Sequence, residues 1–199
     1  MLEIGGAANA LVVLARCPDA SLSRLAVTAS AGHGLSLNSC GGRIYNSRFT
    51  VIADAAVFAL DSTGLDITDN VISDCGNNGI QVWRSIEGED GSLISRNRIA
   101  RIQSRAGGSG QNGNGINVFR AGSVLVDSNR ITDCAYSAVR GNAASNIQIL
   151  SNSCQHIGEV ALYAEFGIEG AIITGNLVDG AAAGISVTNF NVGGRLAVV

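Results

Sequence analysis

The sequence contains no lysine, and all 13 of its basic residues are arginine, which excludes lysine Schiff-base and general-base chemistry within it. It also has no apolar run near the length that crosses a bilayer; the longest candidate, residues 10–15, is far too short. Charged residues make up only 15% and the net charge is −3, which is not expected of a general nucleic-acid binder. Hydrophobic residues reach 46%, too many for a disordered segment, so the composition predicts a soluble chain with many β-strands.

The five cysteines are an odd number, so they cannot form a closed disulfide framework. There is no Cys-x-x-Cys pair, and neither His33 nor His156 lies at zinc-binding spacing from a cysteine pair. We therefore expect the cysteines to be small buried side chains, and we expect neither a metal site nor a cofactor. Met1 is followed by no basic segment and no cleavage site, so no export signal is predicted within the printed sequence.

The most informative feature is a repeated pattern, apolar-x-x-Asn-x-apolar-x-x-apolar. Five complete copies and one degenerate copy place their central residue at Ser47, Asn70, Asn97, Asn129, Asn152 and Asn176. These positions are 23, 27, 32, 23 and 24 residues apart. Periods of this length are typical of stacked repeat architectures.

A second pattern, small-apolar-x-apolar, follows each copy with the same period. Its leading apolar residues are Leu35, Val57, Ile80, Ile116, Val139, Leu162 and Ile185. Both patterns alternate as short strands do, and no run has the spacing of a helix. A leucine-rich repeat is the nearest alternative, but copies such as residues 64–67 lack its leucine-rich lead-in. We predict one all-β domain over residues 1–199, a right-handed parallel β-helix with three short strands in each coil of about 23 residues.

In such a coil, equivalent apolar residues stack into interior columns about 4.8 Å apart. The repeated asparagines would form an inward ladder at a strand corner, each amide donating to one neighbouring coil and accepting from the other. This arrangement would satisfy polar groups that are costly to bury, so we interpret the asparagines as scaffold and not as a functional site.

Two coils are enlarged, by residues 84–91 and by residues 103–113. Insertions in a solenoid form loops that often frame its working surface. Residues 10–14 are predicted to be a third strand without its coil, and residues 196–199 the opening of a further first strand, with Val198 standing 25 residues after Ile173. No polar capping segment is evident, which leads us to expect a fragment whose partners include further N- and C-terminal parts of the same chain.

The third strand of each coil presents two outward columns of side chains. One contains Phe58, Gln81, Asn117, Arg140, Tyr163 and Ser186, and the other contains Leu60, Trp83, Phe119, Asn142, Glu165 and Thr188. Aromatic rings beside arginine, asparagine and glutamate suit a sugar polymer, because they offer stacking faces and hydrogen-bond partners. We predict that a polysaccharide binds to Trp83, Arg84, Asn117, Phe119, Arg120 and Tyr163. The alternative is that a further segment covers this outer surface.

The candidate catalytic residues are Glu165 and Arg140, with Glu159 and His156 as further acid/base candidates near the same surface. Paired carboxylates would suit glycoside hydrolysis, and arginine or carboxylate bases with Ca²⁺ would suit a polyuronate lyase or epimerase. No aspartate cluster of the kind that Ca²⁺ requires is evident. The glycines of residues 108–113 match a dinucleotide fingerprint in spacing, but a strand follows them where that site requires a helix.

Four segments carry a family resemblance: GNNGIQVWRS at 76–85, GGSGQNGNGINVFRAG at 107–122, AVRGNAASNIQI at 138–149, and residues 159–191. Together they resemble an uncharacterised proteobacterial family of β-helix repeat proteins exported by the twin-arginine route. This resemblance implies a right-handed parallel β-helix and a periplasmic or exported location, and it implies no catalytic residues. The sequence is more distantly similar to pectate lyases and alginate epimerases, whose catalytic motifs have no counterpart here.

Two hypotheses of different class follow. The first is an exported β-helix protein that binds or processes an acidic or neutral polysaccharide on the surface of its third strands. The second is a non-catalytic β-helix scaffold for surface adhesion or assembly, which the lack of a recognisable acid/base pair favours. Neither hypothesis includes a cofactor, a nucleic acid or a membrane span.

Overall fold

The computed structural model describes residues 9–188 and 197–199, which contain 21 strands and no helix. None of these residues therefore forms a helix that could cross a membrane. The strands are β1 (Ala10–Ala15), β2 (Ala20–Ser23), β3 (Ala26–Ser30), β4 (His33–Asn38), β5 (Gly42–Tyr45), β6 (Arg48–Ile52), β7 (Ala55–Leu60), β8 (Leu65–Thr68), β9 (Val71–Cys75), β10 (Asn78–Glu89), β11 (Leu93–Ser95), β12 (Arg98–Ile102), β13 (Asn114–Gly122), β14 (Leu125–Asp127), β15 (Arg130–Cys134), β16 (Val139–Asn142), β17 (Ile147–Leu150), β18 (Ser153–Glu165), β19 (Ala171–Thr174), β20 (Leu177–Thr188) and β21 (Ala197–Val198).

Every strand pairs in parallel with its equivalent one coil away, which confirms the predicted parallel β-helix. The first strands form one sheet in the order β2-β5-β8-β11-β14-β17-β19-β21. The second and third strands form two further faces, in the orders β3-β6-β9-β12-β15-β18 and β1-β4-β7-β10-β13-β16-β18. Strands β18 and β20 continue through the corner between these two faces and so join them into one hydrogen-bonded sheet.

The predicted interior columns are in register. On the first face Ile67 pairs with Ile94, and Ile94 with Val126; on the third face Ile80 pairs with Ile116. All of these side chains are buried, and burial of one such side chain is worth about 1.5–3 kcal/mol. The core is therefore a stack of like residues along the axis of the solenoid.

The asparagine ladder is confirmed, and it also binds the backbone. The Nδ2 of Asn97 donates to Ile67 O at 2.9 Å in one neighbouring coil and to Asn129 Oδ1 at 3.0 Å in the other. Its Oδ1 accepts from both the backbone N–H and the Nδ2 of Asn70, at 3.0 and 3.1 Å. The same bonds recur at Asn129 and Asn152, so each rung satisfies buried groups of the coils on either side.

The corners turn through single residues in the left-handed region, which the sequence pattern did not predict. Asp69 and Arg96 hold equivalent places at one corner with φ of 58° and 54°, and Asp74 and Arg101 do so at another with φ of 59° and 57°. Each pair forms an exposed ion pair across coils, at 2.8 and 2.7 Å. Exposed pairs contribute only about 0–1 kcal/mol, so they accompany the turns and do not account for them.

The two enlarged coils differ in structure. Residues 84–89 continue strand β10, whose register shifts between Trp83 and Gly88, so most of the predicted loop 84–91 is a bulged extension of that strand. Residues 103–113 form a loop between β12 and β13, which we call loop 103–113.

The strands predicted at the two ends of the sequence are present. Residues 10–15 form a third strand, as predicted. Val198 pairs with Ile172, one residue from the alignment with Ile173 that the spacing indicated. A single domain over 1–199, as part of a longer solenoid, stays a prediction.

All five cysteines are free thiols, and four of them are buried, as predicted; Cys17 is partly exposed. Burial raises the pKa of Cys75 and of Cys154 to about 12, and it raises the pKa of Cys134 as well. These thiols pack as small apolar side chains and are unreactive in the folded state.

Candidate functional site

The two predicted outward columns exist, and we call the surface they form the third-strand face. Strand register aligns Phe58, Gln81, Asn117, Arg140, Tyr163 and Ser186 in one column and Leu60, Trp83, Phe119, Asn142, Glu165 and Thr188 in the other. Alternation along each strand is sufficient to place these residues on one side of the sheet.

A cavity of about 180 Å³ opens on this face beside loop 103–113, and we call it the face cavity. Its walls are Trp83, Ser109, Gly110, Gln111, Asn117, Phe119, Arg140, Asn142, Glu165 and Phe166. It therefore brings together five of the eight residues predicted from the sequence. The volume is below the roughly 300–1,000 Å³ of pockets for drug-sized ligands, so the cavity suits one group of a ligand and not a large molecule.

A row of aromatic rings runs across neighbouring coils into this cavity, and we call it the aromatic strip. His33 stacks on Phe58 with centroids 4.7 Å apart, and Phe58 meets Trp83 edge-on at 5.7 Å. Trp83 in turn meets Phe119 at 5.8 Å. Trp83 and Phe119 are half-buried, so each keeps part of its ring surface open to solvent.

Side-chain amides fix loop 103–113 against the third-strand face. The Nδ2 of Asn117 donates to Gln111 O at 3.2 Å, and the Nδ2 of Asn78 donates to the same carbonyl at 3.0 Å. The Nδ2 of Asn114 donates to Gly110 O at 2.9 Å. The indole N–H of Trp83 donates to Asn117 Oδ1 at 3.1 Å, which holds the ring in place. The loop wall of the cavity is thus built by amides that single-strand alternation does not reveal.

Arg140 and Glu165 form a buried ion pair. They are 6% and 1% exposed, although the strand alternation turns both outward. The Nε and Nη2 of Arg140 each lie 2.6 Å from Glu165 Oε1, and Asn142 Nδ2 donates to the same oxygen at 3.0 Å. The Nη1 of Arg140 donates to Glu159 Oε2 at 3.3 Å. The guanidinium also packs against Gly110, where a Cβ would overlap it.

The remaining predicted binding residues lie around the cavity and not in its wall. Arg120 is exposed, with its guanidinium 4.7 Å from the Phe119 ring centroid and its Nη1 donating to Ser85 O at 2.9 Å. The ring centroid of Tyr163 lies 5.0 Å from the guanidinium carbon of Arg140. Arg84 donates through Nε to Ile86 O at 3.4 Å within the extension of β10.

A family model described as "Right handed beta helix region" matches residues 33–192, most of the chain. The chain belongs to the right-handed β-helix family. This settles the handedness that the sequence pattern predicted. Among solved structures the chain is similar to the GH136 lacto-N-biosidase from Eubacterium ramulus, with a TM-score of 0.46 and 10% identity. The match covers 90% of this chain but only 45% of that enzyme. No curated protein sequence matches the chain.

This β-helix has a second cavity, of about 570 Å³, at the other end of the aromatic strip. His33, Ser36, Asp54, Phe58 and Asn77 line it. The Nδ1 of His33 accepts from Ala55 N–H at 3.3 Å and lies 3.5 Å from Asp54 Oδ2. Burial lowers the pKa of His33 below its usual value and outweighs the nearby charge of Asp54, which raises it.

Residues 9–188 and 197–199 contain no group of three or more histidine, cysteine, aspartate or glutamate side chains that could hold a metal ion. His156, an acid/base candidate from the sequence, lies on the surface with Nδ1 3.3 Å from Asp133. It does not line the face cavity.

Proposed function

We propose that this right-handed β-helix binds a polysaccharide on its third-strand face. The observation that carries the proposal is the face cavity, in which the rings of Trp83 and Phe119 stand beside polar groups held in fixed positions. A sugar ring can pack its C–H faces on aromatic rings, while its hydroxyls exchange hydrogen bonds with amides and charged groups.

The aromatic strip favours a polymer over a single sugar. It crosses the four strands β4, β7, β10 and β13, which follow one another in the sheet. Strands are about 4.8 Å apart, so the strip extends about 14 Å along the axis of the solenoid. It joins the face cavity to the cavity at His33, so a chain of several sugar units could contact both.

Processing of the polysaccharide by Glu165 and Arg140 is a further proposal, and the contacts favour binding over it. A general acid or base must reach the proton that it transfers. Glu165 is 1% exposed, and its Oε1 already accepts bonds from Arg140 and Asn142. In this geometry the ion pair acts first as a support for the cavity wall.

The burial of the ion pair between Arg140 and Glu165 also favours the second candidate function, a non-catalytic scaffold for surface adhesion or assembly. Such a protein needs a rigid face with satisfied polar groups and no reactive centre. An exported or periplasmic location suits either function, and the resemblance of residues 76–85 and 107–122 to an exported β-helix family supports it. Fractionation of cells that express the full-length protein tests this location.

Affinity electrophoresis in gels that contain single polysaccharides tests the main proposal. We expect at least one polymer to retard the protein, and Trp83→Ala to weaken that binding at least about fivefold, as loss of roughly 1 kcal/mol of contact would. Tyr45→Ala is the matched control, because Tyr45 is a half-buried aromatic residue on the first-strand sheet. Retardation by no polymer, or equal retardation of the wild type and Trp83→Ala, would refute the proposal.

A second measurement separates binding from processing. Release of reducing ends or unsaturated products from a bound polymer, abolished by Glu165→Gln in a variant that still folds, would refute the scaffold alternative. Binding without any product would leave the third-strand face as a binding surface only.

A further inference from the structure

We infer that the face cavity takes a neutral sugar residue and discriminates against uronates and other anionic groups. This inference rests on the proposed polysaccharide site and names its ligand class. The composition of the outward columns, with an arginine beside aromatic rings, left acidic and neutral polymers equally open. The contacts of Arg140 decide between acidic and neutral polymers.

Arg140 is the one cation among the ten residues that line the cavity, and each of its three side-chain nitrogens already contacts a carboxylate. Two of its nitrogens bind Glu165, and the third binds Glu159. One positive charge thus faces two carboxylates. A uronate that entered the cavity would meet at least as much negative as positive charge.

Displacing a carboxylate from Arg140 does not provide an anion site. Glu165 is 1% exposed, so an anion that took its place would leave a buried carboxylate without its counter-ion, which is strongly unfavourable. The side chain of Glu159 is 38% exposed and can move away, but this frees only the Nη1 group of Arg140, which stays beside the carboxylate of Glu165.

A second cation, Arg120, contacts a residue of the cavity wall but lies outside the wall itself. Its guanidinium rests on the Phe119 ring and donates to Ser85 O. It brings the charge of the four groups Arg120, Arg140, Glu159 and Glu165 to zero. Neither Arg120 nor Glu159 lines the cavity, whose wall carries one positive and one negative side chain, Arg140 and Glu165. An anion bound by Arg120 would sit at the rim.

The groups that do face the cavity suit hydroxyls and C–H surfaces. Trp83 uses its indole N–H on Asn117, so its contribution to a ligand is its ring face. Phe119 adds a second ring. Asn142 donates through Nδ2 to Glu165, and its Oδ1 is an acceptor that suits a sugar hydroxyl.

The test is affinity electrophoresis of the wild-type chain against a neutral β-glucan, a galactan, a mannan, polygalacturonate, alginate and chitosan. We expect a neutral polymer to bind best, and polyuronates to bind at least about tenfold more weakly, because juxtaposed like charges are costly. Binding of the neutral polymer should change little from about 0.01 M to about 0.1 M salt, although the Debye length falls from about 30 Å to about 10 Å.

Tightest binding to a polyuronate, lost as salt rises and dependent on Trp83, would overturn this inference while leaving the proposed function intact. Tightest binding to chitosan, a cationic polymer, would also overturn the inference, because the cavity would then prefer a positively charged sugar to a neutral one. Binding of no polymer would refute the proposed function and this inference together.

Glu159→Gln provides an internal check of the charge argument. This variant removes one of the two carboxylates that compensate Arg140, so it should raise polyuronate binding relative to neutral-polymer binding severalfold. Glu169→Gln, at an exposed glutamate that does not line the cavity, is the matched control and should leave the ratio unchanged. A ratio that is equal in the two variants would show that charge compensation at Arg140 does not set the selectivity.

Discussion

Replacement of Asn129 by alanine should destabilise the protein by about 4 kcal/mol. Asn129 is 1% exposed, and its side chain accepts from Asn97 N–H at 3.0 Å and donates to Ile94 O at 2.9 Å. Alanine leaves both backbone groups buried without these partners, and each such loss costs about 1–3 kcal/mol, or about 2–6 kcal/mol together. For a chain of this size, about 4 kcal/mol corresponds to a fall in Tm of about 8–16 °C.

Two variants make this prediction specific to the buried ladder. Asn176→Ala removes the same bonds, to Asn152 N–H and Ile149 O, at a rung that is only half-buried, so water can replace them and the loss should be about 1 kcal/mol. Asn129→Ser should fall between these values. Serine is the natural residue at Ser47, where its Oγ accepts from a backbone N–H in the neighbouring coil at 3.1 Å.

Urea unfolding followed by far-UV circular dichroism measures these differences. Because stacked repeats can unfold in parts, hydrogen exchange at the backbone amide of Asn97 should be measured alongside urea unfolding. We expect that amide to exchange much faster in Asn129→Ala than in the wild type. The reasoning would be refuted if Asn129→Ala cost no more than Asn176→Ala, or if the Asn97 amide stayed equally protected.

Burial, close packing and desolvation each give one more prediction. A maleimide should label only Cys17 in the native protein and all five thiols in guanidinium chloride, because the other four are buried. Gly110→Ala should lower the Tm more than Gly91→Ala, because at Gly110 a Cβ would overlap the guanidinium of Arg140 and the φ of 128° suits alanine less well than the 71° of Gly91. His33 should titrate below its usual pKa of about 6.5 by NMR, and because the unfolded chain then binds more protons, stability should fall as pH drops through that value.

Each of these has a clear contrary result. Rapid native labelling of two or more thiols would contradict the burial of the cysteine side chains. Equal losses in the two glycine variants would show that the contact of Gly110 with the guanidinium does not constrain the loop. A His33 pKa at or above 6.5 would show that the nearby Asp54 outweighs desolvation.

The fold could be predicted from the sequence because each coil repeats the environment of the last. Ile67, Ile94 and Val126 occupy the same interior position, so the spacing alone gives their column and its register. The corners could not be predicted in the same way. At one corner the equivalent left-handed positions hold several residue types: Arg24, Asn46, Asp69, Arg96, Ser128 and Ser151. Since several residue types tolerate such a turn, no single residue type marks it in the sequence.

The site could be predicted in part, for the same physical reason. Alternation along β10 and β13 placed Trp83, Asn117 and Phe119 on one face, and stacking made them neighbours. The burial of Arg140 and Glu165 was missed. It depends on a guanidinium that reaches sideways to the next coil, and on loop 103–113, which has no equivalent in the other coils of residues 9–188.

The difference between repeated column residues and the residues of loop 103–113 indicates where along the solenoid selectivity for the proposed ligand would arise. Equivalent column positions recur from coil to coil, so they can form a repeated feature such as the aromatic strip. They cannot form a feature that is present in one coil only. Gly110 and Gln111 belong to loop 103–113, one of the two insertions that break the period, and they line the cavity together with residues of the columns. Of the coils along this face, the one with that loop is therefore where a ligand that binds along the strip would be held in one register.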